Sequence, residues 1–237
     1  MPPAFLAVLS EPGQLVSLDE FQDWYDNEHI PLRMDHFSSF LAAARFSATD
    51  GQKPSWIALY DVDNVATFND ESYARLRTTR SPREADLVKR LEMLDRRTCR
   101  VVWDSGVSLK ATSLDPANPT KVIATHELGG TSDDEGIKQA EELVKGLRDE
   151  KEWVRTRLFA CIDTLKTGVA VPPGPEAQKT LPFLVLHGGS SLSLLSLIYP
   201  VVAEFITHAA AEHLIQGQPE SRKWELYRAY PNLSQKA

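Results

Sequence analysis

Short apolar runs closed by turn residues alternate along this chain with segments of helical periodicity. Phe5-Leu6-Ala7-Val8-Leu9, ended by Glu11-Pro12-Gly13, has the pattern of a buried strand running into a turn. Asp19, after Leu18, predicts a helix cap, because Phe21, Trp24 and Tyr25 then recur at helical spacing. Pro31 disfavours α geometry at Ile30 and predicts that this helix ends near Glu28 or His29. Phe40 to Thr49 and Trp56 to Tyr60 read as strands joined at Asp50-Gly51. Val65 to Thr79 and Pro82 to Arg96 read as helices broken at Ser81-Pro82, and Arg100 to Trp103 as a fourth strand.

The order β-α-β-β-α-β is the split βαβ, or ferredoxin-like, arrangement. After a Pro-containing stretch, Ser108 to Thr120, the same order begins again: strand Val122 to Thr125, helix Asp133 to Lys151, strand Val154 to Asp163, strand Phe183 to Leu186, helix from about Ser191 to Ile215, and strand Trp224 to Tyr230. The predicted fold class is therefore α+β, with a first ferredoxin-like repeat over 1–107, a linker over 108–120 and a second repeat over 121–237. Two such four-stranded sheets, each with helices on one face, can cover one another's bare faces. An intramolecular α/β-barrel results, with an interior expected to serve as a small-molecule cavity.

Composition narrows the function classes. A net charge of -7 works against binding a phosphate backbone, so nucleic acid is not an expected partner. The apolar start of the chain lacks a basic segment and is interrupted by Glu11-Pro12-Gly13, and the run Leu192 to Tyr199 is broken by Pro200; neither a signal peptide nor a membrane span is read. Cys99 and Cys161 are far apart in sequence and form no CxxC pattern. They read as small buried hydrophobes of a cytoplasmic protein. No GxGxxG, Walker loop or HExxH motif is present, so no cofactor and no metal is expected.

The densest chemistry lies in Phe21-Gln22-Asp23-Trp24-Tyr25-Asp26-Asn27-Glu28-His29-Ile30-Pro31-Leu32-Arg33. On a helix, Tyr25 and Asp26 fall four and three residues before His29, so both can lie beside the imidazole. The alternative is a helix end where His29 meets only the macrodipole and Asp26. The stretch Trp24 to Pro31 resembles the tyrosine-x-x-glutamate-histidine-x-proline signature of the EthD-like dimeric α/β-barrel family. In that family the histidine commonly faces the barrel cavity, and several fungal members act as decarboxylases, dehydratases or cyclases in polyketide tailoring without a cofactor. The resemblance implies His29 first, with Tyr25, Asp26 and Glu28 as its neighbours. His29 is then the expected catalytic acid or base, with Asp26 or Glu28 fixing its tautomer and Tyr25 donating to the oxyanion that proton removal develops. It covers the first half; in the second, Leu147 to Trp153 carries neither the histidine nor the proline.

Trp24, Glu28, Arg33, Tyr60, His126 and His187 complete the expected substrate-contacting set. His126 and His187 each follow four apolar-strand residues, and the first and third strands are taken as parallel neighbours that set them side by side; strand-end histidines bonded to solvent or backbone are the plainer reading. They lack a third ligand of clear spacing. His187-Gly188-Gly189 has no partner GxSxG elbow and reads as a strand-to-helix turn. The expected function is a cofactor-independent lyase or cyclase acting by proton transfer on an aromatic or polyketide-like small molecule, with a homodimer as an allowed assembly. A cofactor-free monooxygenase and a non-catalytic binding or stress-response barrel are the competing readings.

Overall fold

β1 (Ala4–Glu11) is buried along its whole length, because both of its faces are covered. Ala4, Leu6 and Val8 pack toward helices, whereas Phe5, Ala7 and Leu9 pack toward the opposite side of the sheet. This is why the sequence shows a continuous apolar run here and not a polar alternation. The structure, a computed structural model, describes residues 1–106, 114–193, 196, 198, 202 and 221–234.

The remaining elements are α1 (Leu18–Trp24), α2 (Pro31–Met34), β2 (Phe40–Ala48), β3 (Trp56–Val62), α3 (Glu71–Thr78), α4 (Pro82–Arg90), β4 (Met93–Asp104), β5 (Val122–Leu128), α5 (Asp133–Lys145), β6 (Trp153–Thr167), β7 (Phe183–Gly189) and β8 (Arg222–Tyr230). The strands close into one barrel in the order β1-β3-β2-β8-β5-β7-β6-β4. Each repeat keeps the ferredoxin-like order, and the two join edge to edge where β2 meets β8 and β4 meets β6. The predicted sheets thus do not merely face each other. Pairing both edges removes the four unpaired strand edges that two separate sheets would expose.

The shared interior is packed with side chains. Phe5 and Phe159 stack with centroids 4.0 Å apart, and Phe46, Leu59, Ile123, Leu184 and Trp224 fill in around them. Among the described residues, this core fills the interior that the sequence led us to expect as a cavity. Outside the barrel, one cluster joins the first repeat's sheet to α1, α2 and α4. Another joins the second repeat's sheet to α5, with Ile198 and Val202 buried in it.

Several predicted boundaries shift. Ser17, not Asp19, caps α1, its hydroxyl accepting from the Glu20 N–H. The helix placed over Pro82 to Arg96 ends at Arg90, and Leu91 turns extended so that β4 begins at Met93. His187, Gly188 and Gly189 lie inside β7, paired with Ala124, Ile123 and Val122, and form no strand-to-helix turn. The helix expected from Ser191 to Ile215 lies mostly outside the described residues, as does part of the linker at 107–113. Among the described residues no helix is long and apolar enough to cross a membrane.

Candidate functional site

α1 does not stop at His29. Residues Tyr25–His29 form one wide π turn in which the Ile30 N–H donates to the Tyr25 carbonyl at 3.1 Å, and α2 follows directly from Pro31. Proline lacks an N–H, and its ring would collide with the carbonyl four residues back in a regular helix. The wider turn removes that conflict, so Ile30 keeps helical dihedrals (φ -74°, ψ -46°) where the sequence predicted a helix end. Such single π turns recur at functional sites.

The π turn aims His29 at α4. Nδ1 of His29 lies 2.7 Å from Oε1 of Glu84, and both side chains are buried. Trp24 and Tyr25 wall the imidazole from behind, with ring centroids 4.5 Å and 5.2 Å away. The Ser81 hydroxyl fixes the start of α4, accepting from the Glu84 N–H while donating to Glu28. In a regular capping box the Glu84 carboxylate would turn back toward Ser81. Here it meets His29 instead.

With Nδ1 held by Glu84, Nε2 is the ring nitrogen left for a ligand, and His29 lines a cavity of about 670 Å³ between the first repeat's helices and the outer face of its sheet. Leu6, Val8 and Leu94 form its apolar floor, with Leu165 and Val169 added from the second repeat. Arg33, Arg77, Arg80, Lys89 and Arg96 also line it, and no described lining residue is Asp or Glu. Burial, reinforced by Arg33, pulls the His29 pKa down to about 4, so the imidazole is neutral at neutral pH. Burial alone would raise Glu84, but the hydrogen bond from His29 and the charges of Arg33 and Arg80 hold its carboxyl below the ordinary value.

Eight-stranded barrels of this kind recur among solved structures. A protein described as anthrone oxidase-like shares 7% identity at a TM-score of 0.59, over 97% of this chain and 92% of its own. A protein from Fusobacterium nucleatum assigned as a monooxygenase shares 7% at 0.55, over 97% and 94%. One assigned as a chlorite dismutase shares 13% at 0.52, over 96% of each chain. These likenesses establish the dimeric α/β-barrel fold. No family model and no curated protein matches the chain.

The structure gathers only part of the residue set predicted from sequence. His29 and Arg33 line the cavity, and Arg33 also donates to the His29 carbonyl at 2.6 Å. Tyr25 and Trp24 are fully buried behind His29. Tyr25 presents its ring face to Arg45, 4.2 Å away, and does not line the cavity. Asp26 turns away from His29 altogether: it accepts from Arg45 at 2.8 Å and from Tyr230, Tyr227 and Arg228. Burial opposes its ionisation, yet Tyr230 and Arg45 hold its carboxyl below the ordinary range. Glu28 binds Ser81 and lies 3.8 Å from Arg83. Tyr60 is core, edge-on to Phe40.

His126 and His187 do lie side by side, stacked at 5.1 Å, but β5 and β7 run antiparallel, not parallel, with His187 opposite Ala124. The pair is buried on the second repeat's outer face and does not line the His29 cavity. Sequence reasoning missed Glu84 and the cavity arginines on α3 and beyond. Ser81-Pro82-Arg83-Glu84 does carry a capping-box signature, which marks a helix start but gives no hint of a histidine 55 residues away.

Proposed function

We propose that this chain is a proton-transfer enzyme of the EthD-like type, acting on an aromatic or polyketide-like small molecule with His29 as general base. The observation that carries the reading is the buried His29–Glu84 pair opening on a cavity large enough for a fused-ring ligand. Neutral His29 accepts an acidic C–H or phenolic proton at Nε2. The adjacent Glu84 carboxylate stabilises the imidazolium that forms, and it fixes the tautomer beforehand. The substrate must spread the electron pair left behind into its own carbonyl or ring system. Loss of water or ring closure by the resulting anion then completes a dehydration or cyclisation; in a decarboxylation the carboxylate leaves as carbon dioxide, its bonding pair enters the adjacent carbonyl, and the imidazolium returns its proton to that carbon.

A second outcome of the same step is attack of the substrate anion on oxygen, a cofactor-free monooxygenase. The barrels described as anthrone oxidase-like and as a monooxygenase support it by fold alone. A non-catalytic binding barrel fits less well, because a purely binding pocket has no use for a carboxylate-backed histidine at its wall.

Metabolite profiling of strains carrying the intact gene or its His29→Asn form tests the reading. An aromatic precursor that accumulates only in the variant is expected, and oxygen uptake by the purified protein with that precursor separates oxygenase from lyase. Identical profiles would end the proposal.

A further inference from the structure

Five cations and no carboxylate line a cavity in a protein whose net charge is -7. Among the described residues, Arg33, Arg77, Arg80 and Lys89 form no ion pair. Arg33 is only 9% exposed, and its Nε has no hydrogen-bond partner among the described residues. The Glu84 carboxylate is near enough to feel Arg33 but is bonded to His29, so Arg33 remains a buried guanidinium with no ion pair of its own, an arrangement that an added anion stabilises. The floor opposite is hydrocarbon.

We propose that the His29 cavity takes an aromatic carboxylate, its rings on the Leu6, Val8 and Leu94 floor and its carboxylate held by Arg33 and Arg80. The planar fork of arginine matches a carboxylate's two oxygens, and two such forks fix the ring system's orientation as well as its charge. This rests on the cavity being the substrate site.

The position of the charge also bears on the base. The groups facing His29 are Arg33 from α2, Arg80 from the segment before α4, Glu84 from α4, and the rings of Trp24 and Tyr25. Arg33 and Arg80 both disfavour a proton on His29, so a carboxylate that neutralises them makes the imidazole a stronger base only when the ligand is in place.

Calorimetric titration with 3-hydroxy-2-naphthoate and its methyl ester tests the assignment without any turnover. The acid should bind about tenfold or more tighter than the ester, as a charge-assisted bond requires. The preference should shrink in Arg80→Ala, whose side chain lies at the partly exposed mouth, and in Arg33→Met. It should persist in His29→Asn. Equal or tighter binding of the ester, binding of neither probe at millimolar concentration, or a preference unchanged in both arginine variants overturns the proposal. Acid preference in a protein that turns nothing over leaves this assignment standing and removes the proton-transfer reading instead.

Cys99 and Cys161 face each other directly across the β4·β6 seam, with their sulfurs 3.5 Å apart. Residues directly opposite in an antiparallel pair have Cα atoms about 4.5 to 5.5 Å apart, within the span a disulfide bridges. Cys99 is fully buried and Cys161 partly exposed. We infer that hydrogen peroxide oxidises this pair to a disulfide that staples the two repeats together. The Cys161 sulfur attacks the peroxide, the O–O bond breaks, and a sulfenic acid and one water form. The Cys99 sulfur then displaces the second water, so two thiols lose two protons and two electrons while the peroxide is reduced. The hydrogen bond from Cys99, helped by Arg97, pulls the Cys161 thiol below its ordinary pKa, which makes it the attacking group.

Treatment with hydrogen peroxide followed by intact-mass and peptide analysis tests this. Loss of two hydrogens and a Cys99–Cys161 linked peptide are expected, with Cys99→Ser accumulating a dimedone-reactive Cys161. Two unmodified thiols, or a Cys161 sulfinic acid beside free Cys99, overturn it.

Discussion

Nδ1 of His29 and Oε1 of Glu84 are 2.7 Å apart although 55 residues separate them, and the π turn at Tyr25–His29 is what brings them together. An acid–base group held in this way contributes about 10² to 10⁴ in rate. His29→Asn should therefore lower turnover by at least about a hundredfold while circular dichroism stays parental. Glu84→Gln keeps a hydrogen-bonding partner but loses the charge that stabilises the imidazolium, so about a tenfold loss is expected. Parental turnover in a folded His29→Asn protein would leave His29 a structural residue.

The pH dependence of kcat/KM follows from the same pair. Burial sets the His29 pKa at about 4 in the free protein, and only the unprotonated ring can accept a proton. Activity should be level across neutral pH and fall as pH drops through about 4, because kcat/KM reports the free enzyme's groups. A fall already centred near 6.5 would show that His29 is not desolvated in this way.

Tyr25 separates the oxyanion-donor role expected from the sequence from the geometry. Its ring stands edge-on to His29, but it does not line the cavity. Tyr25→Phe keeps that ring contact, and kcat should stay within about threefold of parental, against the 10² or more lost when an oxyanion donor is removed. A larger fall in kcat with KM unchanged would restore the donor role.

The barrel was legible because it rests on local signals, the apolar runs that mark the strands. Trp24 to Pro31 likewise marked where candidate side chains concentrate, and His29 and Arg33 from around it line the candidate cavity. What stayed hidden depends on contacts between distant segments. Pro31 reads locally as a helix stop, and only the structure shows the turn widening to pass it. Asp26 reads as a neighbour of His29 at helical spacing, yet one widened turn is enough to send it to the opposite face. The packed interior was equally invisible, since an apolar inward face looks the same in sequence whether it lines a cavity or fills one.

Asp26 instead holds the β2·β8 seam, joining Arg45 of one repeat to Tyr227, Arg228 and Tyr230 of the other. Arg45 is 1% exposed, so removing its carboxylate leaves a buried charge unpaired. Asp26→Ala should cost about 3 kcal/mol or more in denaturant unfolding. If turnover falls while the unfolding midpoint is unchanged, Asp26 belongs to the chemistry after all.

His126 and His187 share a buried site on the second repeat's outer face. His187 bonds to the Thr156 hydroxyl at 2.7 Å through Nδ1, while its Nε2 and both ring nitrogens of His126 have no partner among the described residues. Burial pushes His187 down to about 3 and His126 well below its ordinary value, so both rings are neutral in the folded protein. In the unfolded chain each takes up a proton near 6.5. Between that value and the folded pKa the unfolded state binds more protons, so stability is full above about pH 6.5 and falls as the pH drops toward 3. By pH 4 His187 alone removes on the order of 3 kcal/mol. His29 and Glu84 pull in the same direction, so the informative quantity is the difference between parent and variant. His187→Gln can keep the Thr156 bond without a titrating group, and urea midpoints measured from pH 7 to 4 should fall less steeply than in the parent, while turnover at neutral pH is retained. A variant whose midpoints track the parent at every pH would mean that His187 is not held neutral by burial. A loss of neutral-pH turnover equal to that of His29→Asn would move catalysis to the second repeat.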